Sequence, residues 1–98
     1  MAGLRTIVRE KYFDAAVKRI FGDLRRGDLA LNGAEIALAR EPDLTVYPVV
    51  ATTPQGVLRA YKSVGYPGIS SVVVYFTVDD DDAVHWHDIL PGQKPTGP

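Results

Sequence analysis

Residues 71–90 read SVVVYFTVDDDDAVHWHDIL: a run of β-branched and aromatic residues, four consecutive aspartates, then a short apolar run carrying two histidines. This is the pattern of a β-hairpin with the aspartates at its turn. Side chains two apart on a strand share a face, so Val72, Val74, Phe76 and Val78 form an all-apolar core set, with Ser71, Val73, Tyr75 and Thr77 opposite. In the returning strand Val84 and Trp86 match the core set, and His85 and His87 point outward. Asp88 and Ile89 reverse the alternation, so a bulge near the end of the strand, or a partly exposed Ile89, is expected. The four aspartates are read as solvating the turn, because a calcium loop needs spaced ligands and a turning glycine.

Upstream of the hairpin, residues 45–51 and 57–64 are also rich in strand formers, and the breaks TPQG (53–56) and GYPG (65–68) are turn chemistry. Pro48 lies inside the first of these runs and points to an edge strand or a bulge. Nearer the N-terminus the period changes. Phe13, Ala16, Val17, Ile20, Phe21 and Leu24 recur at spacings of three and four, which predicts a helix over 11–26. Gly27 is placed to end it and Asp28 to cap a second helix running to Arg40, with Leu31, Ala34 and Leu38 as its apolar line, broadened by Leu29 and Ile36. Residues 41–43, Glu-Pro-Asp, stop that helix, and residues 4–8 alternate like a short strand. The expected fold is α+β: a short N-terminal strand, an antiparallel helical hairpin, then a three- to four-stranded antiparallel sheet with the helices on one face. Residues 1–90 form a single domain, and residues 91–98 are expected to be a disordered tail.

At 98 residues the chain can build one modest core. It has no cysteine, its longest apolar run (72–76) is far short of a membrane span, and its first residues lack the apolar stretch of a signal peptide. A cytoplasmic protein with no membrane partner and no cofactor is expected. The net charge of −1 hides a polarity: residues 1–78 hold ten of the eleven Lys and Arg against seven acids, whereas residues 79–98 hold one Lys against five acids.

With helices on one sheet face, the other is open for chemistry. Taking the more polar side chains of 57–64 as its occupants puts Arg59, Tyr61, Tyr75, His85 and His87 together, with Lys62 near by. Arginine offers a fork of donors to a phosphate, an aromatic ring stacks on a base, and histidine transfers protons near neutral pH. These are the functions that metal-free RNA cleavage requires. Plainer roles compete: Arg59 pairing with a carboxylate, Tyr61 and Tyr75 filling cross-strand positions, the histidines merely solvated. Zinc is disfavoured, because His85 and His87 are the only histidines and no cysteine supplies a third ligand.

The helical pair followed by AREPD (39–43), then GVLRAY (56–61), then VVYFTVDDD (73–81) running into VHWHDI (84–89), resembles the RelE/ParE superfamily of type II toxin–antitoxin toxins. The resemblance implies a compact toxin neutralised by a cognate antitoxin protein. It acts either as a RelE-like mRNA endonuclease at the ribosome or as a ParE-like inhibitor of DNA gyrase. A non-catalytic protein-binding module on the same fold is the further alternative. The resemblance matches Arg59 to a phosphate-contacting arginine and sets His85 and His87 near the position of a catalytic histidine or arginine; the nuclease reading then gives His85 or His87 the acid/base work and puts Tyr61, Tyr75 and Lys62 on the substrate.

Overall fold

The computed structural model describes residues 4–54, 56–63 and 71–91. The elements run β1 (Ile7–Arg9), α1 (Phe13–Phe21), α2 (Leu24–Arg40), a single 3-10 turn (Leu44–Val46), β2 (Val49–Thr53), β3 (Gly56–Lys62), β4 (Val72–Val78) and β5 (Val84–Pro91). The chain is thus α+β, as its periodicities indicate. One five-stranded sheet has the order β1-β5-β4-β3-β2, so the first and second strands form its two edges. β2 to β5 pair antiparallel as a meander, while β1 lies parallel to β5, with Ile7 beside Val84 and Arg9 beside Trp86.

The helical hairpin turns earlier than its sequence suggests. α1 stops at Gly22, whose left-handed backbone (φ 88°) donates its N–H to the Lys18 carbonyl at 2.8 Å. Gly27 lies inside α2, and its missing side chain is needed there. A Cβ at that position would stand 2.0 Å from a Val17 methyl and 3.3 Å from the Phe21 ring, so the glycine lets α2 close onto α1. Gly22 and Gly27, five positions apart, look alike in a pattern; packing distinguishes them. Asp28, rather than capping a helix, pairs with Arg9 at 2.8 Å. α2 ends at Arg40, ahead of the Glu-Pro-Asp stop. The run 45–51 is only half strand: Asp43 caps a 3-10 turn by accepting the Thr45 N–H at 3.0 Å, and β2 begins after Pro48.

The core lies between the helices and the β1-β5-β4 half of the sheet. Phe13, Val17, Leu31 and Leu38 meet Val72, Val74, Phe76, Val84, Trp86 and Ile89, all fully buried. The expected bulge is present: Trp86 pairs with Phe76 and Asp88 with Tyr75, leaving His87 as the extra residue. That one insertion sends His87 and Asp88 outward together and returns Ile89 to the core. β2 contributes no residue to this core, and of β3 only Tyr61 packs against it. Pro91, expected in the tail, is the last residue of β5 and pairs with Val72. Val64, the GYPG turn and the rest of the tail lie outside the described residues.

Candidate functional site

The outward face of β4 and β5 carries Thr77, His85 and His87. It is bordered by Glu10 just after β1 and Asp79 at the start of the β4–β5 turn, and together these five line a pocket of about 320 Å³. Parallel pairing of β1 with β5 sets Val8 beside His85, and Glu10, two residues on, falls on the same face. The His85 ring is held at both ends. Its Nδ1 is 2.6 Å from a Glu10 carboxylate oxygen, and its Nε2 is 2.7 Å from an Asp79 oxygen. Two ionised carboxylates need two N–H donors, which only imidazolium has. The hydrogen bond to Asp79, and next that to Glu10, raises the His85 pKa above the ordinary histidine value. The same bond from His85, with the Ala83 backbone N–H, holds Asp79 below the usual carboxylate range.

Asp79 also builds its own turn. Its second oxygen accepts the N–H groups of Asp81 and Ala83 at 2.9 and 3.0 Å, and Asp82, in the left-handed conformation (φ 66°), pairs with Arg5 at 3.0 Å. The aspartate run therefore does more than solvate the turn. Arg5 is nearly buried, and its guanidinium also donates to the carbonyls of Leu38, Glu41 and Pro42. His87 has a different partner, with its Nε2 2.7 Å from the Thr77 hydroxyl.

The sequence-derived set does not come together on one face. Residues paired across strands share a side, and β3 pairs Arg59 with Phe76 and Tyr61 with Val74, so both belong to the helix side of the sheet. Arg59 donates to the carbonyls of Tyr47 at 2.8 Å and Thr45 at 3.4 Å, and Tyr61 packs edge-on against Tyr47 with ring centres 5.4 Å apart. The polarity of β3 misleads because this strand reaches past the helices, where an arginine and a tyrosine can face the inner side without being sealed in the core. Tyr75 and Lys62 do share the outer face with the histidines. Lys62 pairs with Val73, four residues along β4 from Thr77, or about 13 Å at strand spacing.

Glu10, Asp79 and Thr77, the actual neighbours of the histidines, are not in the sequence-derived set. Thr77 could have been paired with the histidines by counting; Glu10 required knowing that β1 lies beside β5. The outer face is anionic, since Glu10, Asp79 and Asp88 surround the histidines and Lys62 is distant. Among the described residues no group of three or more His, Asp or Glu side chains is arranged to hold a metal ion, and no helix is long and apolar enough to cross a membrane. Neither a family model, nor a curated protein sequence, nor a solved structure matches this chain.

Proposed function

We propose that this chain is a binding protein of the toxin–antitoxin class, with an extended segment of an antitoxin adding to the β2 edge, and that it acts by occupying a protein target rather than by cutting RNA. The observation that carries the reading is the composition of that edge. β2 reads Val-Val-Ala-Thr-Thr, bears no charge and, among the described residues, is paired only with β3. Val49 and Val50 within it, and Val46 and Val57 beside it, are 52%, 49%, 62% and 41% exposed. Natural edge strands usually carry a lysine, a proline or an inward charge to prevent pairing; this one has only a bulge at Val50 and Pro48 ahead of it. An added strand would gain backbone hydrogen bonds and cover the valines. The element order that the sequence shares with RelE/ParE toxins supports the class.

RNA cleavage is the weaker reading on physical grounds. Arg59 is separated from the histidines by the thickness of the sheet, both nitrogens of His85 are engaged by carboxylates, and an anionic face opposes a phosphodiester. The test is co-expression with the product of the adjoining reading frame, followed by size-exclusion chromatography. A complex that survives in the wild type and is lost in Val50→Lys, with the fold retained by circular dichroism, is expected. Messenger RNA cleavage on induction, abolished by His85→Ala with His87→Ala, would overturn the proposal in favour of the nuclease. A supercoiling assay then asks whether gyrase is the target.

A further inference from the structure

Edge strand β1 is only three residues long, and its parallel pairing to β5 is the least extensive in the sheet. Arg9 ties its C-terminal end to the helices through Asp14 and Asp28, and a relay of three side chains from three separate segments ties it to the sheet: Glu10 between β1 and α1, His85 on β5, and Asp79 at the hairpin turn. The backbone follows the same route. Glu10 donates its N–H to the Trp86 carbonyl at 2.9 Å, and its own carbonyl accepts the N–H of Phe13, the first residue of α1, at 2.9 Å. Whatever fixes Glu10 therefore fixes both the end of the strand and the start of the helix.

We propose that His85 is a proton-operated clasp that fastens β1 and the start of α1 to the β4–β5 hairpin, closed when the imidazole carries both protons and open when it loses one. The arm that lets go is Glu10. Asp79 is anchored through its other oxygen to two turn amides and stays in place whichever form His85 takes. Among the described residues the Glu10 carboxylate meets only His85. Losing the Nδ1 proton leaves a lone pair facing that carboxylate, and the contact turns from attraction to repulsion. Three charged or titratable groups face the ring: Glu10 from the β1–α1 junction, Asp79 from the hairpin turn, and His87 from the same strand across the pocket. His87 is turned to Thr77 and takes no part in the clasp. Opening would remove the one positive charge of the ring from a face that also holds Glu10, Asp79 and Asp88, so the device alters the charge a partner meets as well as the order of β1.

The experiment is a pH titration of the uniformly ¹⁵N-labelled full chain, following the histidine ring nitrogens and the exchange protection of backbone amides together. His85 is expected to show the doubly protonated pattern at neutral pH and to titrate above the ordinary histidine value. Across that titration, protection at Glu10 and in β1 should fall about fivefold while amides of the β3–β4 pairing hold theirs, after correction for intrinsic exchange. Glu10→Gln keeps the backbone and removes one arm. It should lower the His85 titration and leave β1 at neutral pH as loosely protected as the wild type is at high pH, whereas His87→Ala should change neither. Titration of His85 at or below the ordinary histidine value, or β1 protection that ignores the His85 titration, would overturn the proposal. None of these readouts involves the antitoxin reading or β2.

Discussion

The two edges of the sheet are built on opposite principles. The β1 edge is short and polar at its ends. Arg5 reaches Asp82 and the end of α2, Glu10 reaches His85, and Arg9 pairs with Asp14 at 3.0 Å and Asp28 at 2.8 Å while lying 5.7 Å from the Trp86 ring centre. The β2 edge is longer, uncharged, and outside the helical cover, with its valines in water. Charged ties fix one strand in one place and satisfy its own surroundings; an apolar edge without such ties is left with backbone groups and side chains to offer. The difference separates a closed side of the molecule from an open one.

The comparison is broken most severely at Trp86, which forms the floor under β1 and Phe13. Trp86→Ala should destabilise the fold by about 3–5 kcal/mol in urea unfolding. Trp86→Phe should cost clearly less, because the buried indole N–H has no acceptor among the described residues and its removal relieves an unmet hydrogen bond. Next comes the helical cover. Gly27→Ala drives a methyl into Val17 and should cost about 1–3 kcal/mol, visible as a lowered urea midpoint with unchanged slope.

The charged ties come third, and their sign can be stated. The raised His85 pKa gives stability that is complete below the ordinary histidine value and is lost as pH rises through the raised one. The depressed Asp79 pKa gives stability that is present above the ordinary carboxylate value and is lost as pH falls through the depressed one. Melts across pH should therefore show the greatest gain over Glu10→Gln between the carboxylate range and the His85 titration. The gain should be about 0.5–1 kcal/mol, as for partly exposed ion pairs. The smallest effect belongs to the open edge. Val50→Lys should shift stability by no more than about 0.5 kcal/mol while abolishing strand addition there, so a large loss of stability would show that β2 is structurally committed after all.

The legibility of the molecule in its sequence follows the same division. The β4–β5 hairpin could be read to the bulge, because its apolar residues alternate against a buried face and a single slip in that alternation has one local remedy. The same alternation points His85 and His87 outward, where they are found. The sequence pattern alone ends the first helix at Gly27 instead of Gly22, since a glycine ending a helix and a glycine admitting a neighbouring helix leave the same mark in the chain. Polarity puts Arg59 and Tyr61 on the wrong face because β3 lacks a uniformly buried side, and polarity alone then misreports direction.

The sequence by itself determined the α+β class, the order of the two helices and the main strands, and the inward and outward sets of the last two strands, all of which depend on residues within a few positions of one another. Only the tertiary structure decided which side of the sheet Arg59 occupies, that β1 closes against β5, and hence that Glu10 and Asp79 grip His85 from either end. Those facts depend on pairings between residues as far apart as 10 and 85, and the register that sets them comes from the packed core as a whole.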